Sequence, residues 1–286
     1  MKQDKKRKGS SVSLIVLFIL FGIIIYSGYN LYIGFQDYWN NYLNSLEIGE
    51  DAGRDEKTVD WESLLSKNDE VFGWIYCEGT RIDYPVVKGT DNSKYLNVGA
   101  DGTYNRCGAL FINCYNTKPL EEPNTIIYGH HMKDGSMFHD LDYWQDADYF
   151  KEHSEFYFYT PRQNYKLTAV AAENVSCDDV VIYGVPFTNE EDTSAFINKV
   201  ISNTDVSNDD IVFSEKDSFV TLSTCAYDFV GARSIIVCKV EPVDERIEDI
   251  EESKPDPESK LTVFLRMVRE IIKEEINNLS GGSLEE

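Results

Sequence analysis

The feature that most constrains this chain is a series of short apolar runs between residues 73 and 241, rich in β-branched and aromatic residues and separated by turn residues. The runs read GWIYC, IDYPVV, GALFINC, NTIIYG, EFYFYT, YKLTAVAAE, DVVIYG (residues 179–184), SFVTLST and RSIIVCKVE. Many short strands joined by turns are typical of a closed barrel or a sandwich. Helical patterns interrupt the series only near residues 137–143 and at residues 190–201. We therefore expect a mainly β domain over residues 59–243.

The N-terminal segment has a different composition. Five basic residues lie within residues 1–8, and the uncharged stretch 9–36 follows them. That stretch is long enough to cross a hydrocarbon core of about 30 Å as a helix. A cleaved signal peptide would have a shorter apolar region and a small-residue cleavage site, and a buried core helix would be less uniformly apolar. The pattern predicts a cytoplasmic basic tail, one transmembrane anchor (9–36) and a juxtamembrane spacer (37–58), with the β domain outside the cell membrane.

Two further segments follow the β domain. Residues 244–257 form an acidic, proline-containing stretch and are interpreted as a linker. Residues 258–286 place apolar residues at helical spacing and predict an amphipathic helix with a short tail. Such a helix would pack on the domain or on a partner subunit, since a membrane-surface helix would need a more basic polar face.

Charge and cysteine spacing exclude several classes of function. The formal net charge is -23, and no stretch outside the extreme N-terminus collects enough Lys and Arg to follow phosphates, so a nucleic-acid partner is not expected. The six cysteines show no C-x-x-C spacing and no ligand cluster accompanies them, so a zinc site is not expected either. Six thiols in an exported domain allow 15 complete disulfide pairings, and the sequence favours none of them.

Three polar residues at predicted strand ends have the chemistry that acyl transfer requires. Cys225 ends one run, Arg233 opens the next, and His130 follows NTIIYG. A thiolate is the attacking species, an imidazole exchanges protons near neutral pH, and an arginine stabilises an oxyanion. Each residue alone has an ordinary alternative: a buried thiol, a solvated loop histidine or a surface cation. A hairpin would bring Cys225 and Arg233 together, whereas the position of His130 does not follow from spacing.

The segments around these residues resemble the sortases, and the surrounding sequence is similar to their class B. The matching segments are TLSTC followed by Arg233, the upstream YGHHM…MF, the stretch LLSKNDEVFGWIYCEGTRIDYPVVKGTDNSKYLN, and a helical pattern at 190–201, where that class inserts a helix between its sixth and seventh strands. The resemblance runs from about Trp61 to Val243.

The resemblance implies an eight-stranded sortase-type β-barrel with peripheral helices and a cysteine transpeptidase activity. It implies that Cys225 is the nucleophile, His130 the general acid/base and Arg233 the stabiliser of substrate and oxyanion. Ser223 and Thr224, in the same TLSTC segment, are expected to contribute to substrate binding. His131 occupies a tolerant position and is not assigned a role, and neither a metal nor an organic cofactor is expected.

The implied partners are secreted proteins that carry a C-terminal sorting signal, with an amine of peptidoglycan or of its lipid-linked precursor as acceptor, on the outer face of a Gram-positive membrane. One alternative is a sortase that polymerises pilins through a lysine of another pilin. A second is a membrane-tethered binding module without catalysis. The sequence departs from the family at Asn113 and Cys114, where class B relatives often have an acidic residue, and its cysteine content is higher than usual.

Overall fold

The computed structural model describes residues 15–30, 32–33, 36, 59–133, 135–187, 189–202, 206–208, 211–212, 214, 216–225, 231–243 and 269, without the side chains of residues 201 and 225. Apart from residue 269, the predicted basic tail, spacer, acidic linker and C-terminal helix lie outside this set and stay predictions. Residues 15–30 form helix α1, and its apolar side chains are exposed. In the described part of the chain, no helix is both long enough and apolar enough to cross a membrane.

Eight strands close into a barrel, as the resemblance to the sortases implies. Their bounds are β1 (Val71–Tyr76), β2 (Asp83–Val87), β3 (Leu110–Ile112), β4 (Asn124–Tyr128), β5 (Glu155–Tyr159), β6 (Asn164–Ser176), β8 (Phe219–Cys225) and β9 (Ala232–Val243), and the two-residue strand β7 (Val206–Ser207) adds to one edge of β6. The strand order around the barrel is β5-β1-β2-β3-β4-β8-β9-β6, and pairing of β6 with β5 closes the ring. Closure satisfies the backbone groups that an open sheet would leave unpaired at its edges.

The longest strand pairing lies on the β6–β9 side. These two strands are antiparallel over Asn164–Ser176 and Ala232–Val243, with a register irregularity between Ala169 and Ala171. β8 pairs antiparallel with β9, and β4 pairs in parallel with β8. Because parallel strands have their carboxyl ends at the same edge, β4 and β8 end side by side.

The barrel interior is filled by alternate side chains of the strands. On β8, Val220 and Leu222 point into the interior cluster, together with Phe156 and Phe158 of β5. Phe219, on the other face of β8, packs with Phe196 in a second cluster outside the barrel. The alternation follows the two-residue period of a strand, and it assigns an inner and an outer face to each residue near the end of β8.

Peripheral helices cover the outside and one end of the barrel. They are α2 (Trp61–Lys67), α3 (Ala147–Glu152), α4 (Val180–Tyr183), α5 (Glu190–Ser202) and the 3-10 helices Lys94–Leu96 and His139–Gln145. The helical patterns near 137–143 and at 190–201 correspond to the second 3-10 helix and to α5, and α5 lies between β6 and β7.

The strand predicted at residues 179–184 is wrong, because the chain forms α4 there. The Asp179 carboxylate accepts hydrogen bonds from the backbone N–H groups of Val181 and Ile182, at 3.0 and 3.1 Å, and caps the helix. An N-terminal cap of this kind stabilises a helical turn even where β-branched residues favour a strand.

Candidate active site

His130 lies immediately beyond the end of β4. Tyr128 is the last residue of β4 and pairs with Ser223, and the Gly129 N–H donates to the Ser223 carbonyl at 3.1 Å. A Cβ built on Gly129 would lie 2.4 Å from Leu110 Cδ2 and 2.6 Å from Phe138 Cδ2. A glycine is therefore required here for the chain to leave the barrel at this point.

Cys225 and Arg233 form the last cross-strand pair before the β8–β9 turn. Their Cα atoms are register partners in the antiparallel ladder. The Arg233 guanidinium is partly exposed and donates to the Ala232 carbonyl at 3.1 Å. The Cys225 side chain and residues 226–230 lie outside the described part of the chain, so the pairing is a backbone observation. It places both residues at one edge of the barrel.

The same edge receives His130. His130 is two residues beyond Tyr128, and Cys225 is two residues beyond Ser223, its parallel partner. The Tyr128–Ser223 pair is the last register pair of β4 and β8, so His130 follows the end of β4 at the edge of the barrel where β8 ends with Cys225. Spacing in the sequence does not give the position of His130. The structure places it next to the end of β4, beside the strand ends that carry Cys225 and Arg233.

The other three histidines make structural contacts. His131 Nε2 is 2.7 Å from Asp142 Oδ2, and its ring is 4.4 Å from that of His139. His153 Nδ1 donates to the Glu78 carbonyl at 3.0 Å. The omission of His131 from the catalytic set stays a prediction.

Two tyrosines that the sequence analysis did not single out lie beside the predicted site. The rings of Tyr128 and Tyr183 are stacked with centroids 6.3 Å apart, and the Tyr183 hydroxyl is 2.8 Å from Ser223 Oγ. Burial raises the pKa of Tyr128 to about 12, against the lowering effects of the Asn113 amide and the Arg233 charge. Burial also raises the pKa of Tyr183. Both phenols are therefore protonated at neutral pH and can donate hydrogen bonds.

Ser223 and Thr224 face opposite sides of the barrel wall. Ser223 points outward to Tyr183, on the side of the two tyrosines. Thr224 is 2% exposed and follows Leu222 on the inner face, where its register partner is Ser234. Ser223 is 1% exposed and lies behind Tyr183, whereas the Thr224 side chain lies on the inner side of the barrel wall. The substrate-binding role of Ser223 stays a prediction. The substrate-binding role of Thr224 stays a prediction.

Asn113, which departs from the family pattern, is a buried member of a hydrogen-bond chain. Its amide donates to the Tyr128 hydroxyl at 3.1 Å, and its side-chain oxygen accepts from the Asn92 amide at 3.2 Å. The Cys114 N–H donates to the Asn92 side-chain oxygen at 2.8 Å. Neutral amides thus hold Tyr128 in place. Tyr128 is the first residue of the YGHH segment, and this is the signal in the sequence that could have indicated that it belongs to the site.

The five cysteines with described side chains are free thiols: Cys77, Cys107, Cys114, Cys177 and Cys238. Burial raises the pKa of the Cys77 thiol to about 12 and raises that of Cys238 as well. A thiol held protonated in this way is a poor nucleophile. Among the described residues, no group of His, Cys, Asp and Glu is arranged to hold a metal ion.

Comparison with known proteins agrees with this fold. Residues 75–241 match the model of the sortase domain family. The chain is 31% identical over 244 residues to sortase B of Listeria monocytogenes, covering 81% of this chain and 96% of that protein. It is similar to the solved Staphylococcus aureus sortase B-substrate complex (27% identity, TM-score 0.65, 73% of this chain and 100% of that one) and to a sortase B complexed with triglycine (27% identity, TM-score 0.64, 71% and 97%). The chain belongs to the sortase family, in its class B.

Proposed function

We propose that this protein is a membrane-anchored cysteine transpeptidase that attaches secreted proteins to the cell wall. The observation that carries the proposal is the convergence of the ends of β4, β8 and β9, which carry His130, Cys225 and Arg233. A nucleophile, a proton-transfer group and a fixed cation on neighbouring strand ends are the groups that thioester chemistry needs.

The reaction proceeds in two acyl-transfer steps. The Cys225 thiolate attacks a backbone carbonyl carbon of the sorting signal and forms a C–S bond. The resulting oxyanion is stabilised by the Arg233 guanidinium, which is charged at every relevant pH. The C–N bond then breaks, and the proton of the His130 imidazolium goes to the departing amine, leaving a thioester.

An acceptor amine completes the cycle. It attacks the thioester carbon, its proton passes to His130, and the Cys225 thiolate leaves. We assign the acceptor to an amine of peptidoglycan or its lipid-linked precursor. Support comes from the related sortase B structures, of which one is a substrate complex and another contains triglycine, a peptide with a free amine.

The substrate would lie along the outer face of the barrel wall near β4 and β8. Tyr128 and Tyr183 lie on this face, with Ser223 buried behind Tyr183, and the two phenols can donate hydrogen bonds to peptide carbonyls. Arg233 opens β9 at the edge of this wall, as the register partner of Cys225.

The location is inferred from the N-terminal segment. Residues 1–8 are basic and residues 9–36 uncharged, which favours a single-pass anchor with a cytoplasmic N-terminus and an extracellular catalytic domain. Secreted substrates and wall precursors meet on that side of the membrane.

The direct test is capture of the thioester. Full-length protein in detergent is incubated with a library of sorting-signal peptides, and mass spectrometry is used to look for an adduct on Cys225. We expect an adduct with wild type and none with Cys225→Ala. If wild type forms no adduct with any peptide, or Cys225→Ala forms the same one, the protein is a binding module without catalysis and the proposal fails.

The acceptor is tested in a second reaction. Peptidoglycan-type amines and a pilin lysine peptide are offered together to the acylated enzyme, and the product is sequenced by mass spectrometry. We expect the wall-type amine in the product. If only the lysine-linked product forms, the acceptor assignment is wrong and the protein is a pilin-polymerising sortase.

A further inference from the structure

His130 makes one hydrogen bond that defines the state of its ring. Its Nε2 atom lies 2.9 Å from the backbone carbonyl oxygen of Leu96, a residue 34 positions earlier in the chain. A carbonyl oxygen only accepts hydrogen bonds, so Nε2 must carry the hydrogen. In the neutral ring the other nitrogen, Nδ1, is then the basic atom.

The Leu96 carbonyl is held in place by its own helix and by a buried neighbour. Leu96 ends the 3-10 helix Lys94–Leu96, and Tyr95 in its centre is fully buried. The Tyr95 carbonyl accepts from the Ala109 N–H at 3.0 Å. Gly108 has a φ of +63°, and a Cβ on it would lie 2.3 Å from the Tyr95 carbonyl oxygen. A glycine therefore allows the backbone at residue 108 to pack closely against the 3-10 helix.

A polar cluster fixes the side chains of the same helix. We define the anchor cluster as Asn68, Glu70, Lys94 and Tyr95. The Glu70 carboxylate accepts hydrogen bonds from both Lys94 Nζ and the Tyr95 hydroxyl, and the Tyr95 oxygen accepts from the Asn68 amide at 3.0 Å. At the helix start, Asp91 accepts from the Ser93 and Lys94 N–H groups at 2.7 and 2.8 Å. The helix therefore has little freedom to move relative to β1.

We propose that the Leu96 carbonyl holds His130 in its Nε2–H tautomer, that Nδ1 is the nitrogen that exchanges the proton in catalysis, and that the anchor cluster is the positioning element for this carbonyl. The proposal rests on the proposed function and specifies its proton path. It assigns to residues 68–96, far in sequence from the predicted triad, a part in the reaction.

In each of the two steps, the proton is given or taken by the same atom, Nδ1 of His130. In acylation, Nδ1–H of the imidazolium gives its proton to the departing amine as the C–N bond breaks. In deacylation, neutral Nδ1 takes the proton of the attacking amine as the new C–N bond forms and the C–S bond breaks. The Nε2–H···O bond to Leu96 persists through both steps, so the ring does not need to rotate between them.

The tautomer is tested by NMR of full-length protein labelled with ¹⁵N only in histidine. The chain has four histidines, and comparison with His130→Ala assigns the relevant signals. At a pH where the ring is neutral, we expect Nε2 to be protonated and Nδ1 unprotonated, each near its limiting shift. A protonated Nδ1, or shifts averaged between two tautomers, would overturn the proposal.

The reactive nitrogen is tested by methylation at a single atom. Replacing His130 with Nδ1-methylhistidine blocks Nδ1, and we expect thioester formation to slow by at least the ~10²-fold typical of a lost general acid. Normal turnover by the methylated protein would overturn the assignment of Nδ1. Capture of the Cys225 thioester in the wild-type protein would still leave the proposed function intact.

The positioning role is tested with a matched pair of tyrosine variants. Tyr95→Phe removes the hydroxyl that Glu70 and Asn68 hold, whereas Tyr104→Phe removes an exposed hydroxyl in the same region of the chain. We expect Tyr95→Phe to lower kcat on the order of tenfold with little change in KM, since small misplacements of catalytic groups are costly, and Tyr104→Phe to behave as wild type.

The NMR pattern separates positioning from simple destabilisation. In folded Tyr95→Phe, the His130 shifts should move toward the two-tautomer average, which a loss of stability alone would not cause. If Tyr95→Phe does not fold, Lys94→Met, which removes a more exposed member of the cluster, takes its place. Unchanged His130 shifts and unchanged kcat in a folded variant would overturn the role of the anchor cluster.

Discussion

At the scale of single residues, the exit of the chain from β4 depends on one missing side chain. Gly129 precedes His130, and any Cβ there would collide with the Leu110 and Phe138 side chains. The sequence YGH is thus a packing requirement as well as a motif. The residue before His130 has to be small so that the strand can end against the barrel core.

Gly129→Ala should destabilise the fold and slow the enzyme. Forcing a methyl group into a packed site costs about 1–3 kcal/mol, and relief of the clash would displace His130. Urea unfolding and thioester kinetics measure the two effects. If Gly129→Ala has the stability and kcat of wild type, the Leu110 and Phe138 side chains move aside without loss of stability, and the packing argument is wrong.

Arg233 offers a second test at this scale, because its guanidinium is partly exposed and contacts the backbone of its own strand. If it stabilises the oxyanion as proposed, Arg233→Ala should lower kcat/KM by roughly 10²–10³-fold with little change in unfolding midpoint. Arg233→Lys keeps the charge but loses the planar fork, so we expect only partial recovery. Full activity in Arg233→Ala would remove this residue from the mechanism.

At the scale of elements, the short helix α4 connects peripheral packing to the site. Its first turn is capped by Asp179, which also pairs with Lys199 of α5 at 2.9 Å. Its last residue, Tyr183, reaches Ser223 on β8. A local capping interaction thereby determines where a site tyrosine lies.

Asp179→Asn and Asp179→Ala separate the two functions of this residue. Asn retains a capping oxygen and loses the ion pair, whereas Ala loses both. We expect Asp179→Ala to be less stable than Asp179→Asn by about 1 kcal/mol and to have the higher KM, since α4 would fray beneath Tyr183. Thermal unfolding and peptide titration measure these differences. Identical behaviour of the two variants would contradict the capping argument.

The anchor cluster predicts a pH dependence of stability. Hydrogen bonds from Lys94 and then Tyr95 lower the pKa of Glu70 from its ordinary value of 4.5. The unfolded chain therefore binds more protons than the folded one between the lowered pKa and 4.5. The stabilisation is complete above that window and is lost as the pH falls through the folded-state pKa.

Glu70→Gln removes this titration. The stability difference between wild type and Glu70→Gln should be largest above about pH 5 and should shrink as the pH falls below 4.5. Chemical unfolding of both proteins over that range provides the comparison. A difference that grows on acidification would mean that Glu70 is not stabilised as the carboxylate.

At the scale of the whole molecule, an acidic domain follows a basic, apolar N-terminal segment. We expect full-length protein to sediment with membranes, and a variant that lacks residues 1–36 to be released, because the uncharged stretch would anchor the chain as a helix. Fractionation and protease treatment of intact protoplasts test this, with the catalytic domain digested from outside. Full-length protein in the soluble fraction without detergent would contradict the anchor.

Local sequence was sufficient for much of the architecture. Eight of the nine apolar runs form barrel strands, because buried strands appear in a sequence as short apolar runs rich in β-branched and aromatic residues and bounded by turn residues. The strand predicted at 179–184 is wrong because only the β-branched residues of this run, which favour a strand, can be read from the sequence. The helix that forms there is stabilised by the Asp179 cap and by the ion pair of Asp179 with Lys199 of α5.

The sequence by itself determined the strand content of the barrel, the apolar N-terminal stretch and the chemical types of His130, Cys225 and Arg233. Only the tertiary structure decided that the strand before His130 pairs with the strand that ends at Cys225, since a long stretch of chain separates β4 from β8. It also decided that Tyr183 reaches Ser223 and that Leu96 holds the His130 ring. These relations depend on strand pairing and packing between distant segments, which leave no periodic signal in either segment alone.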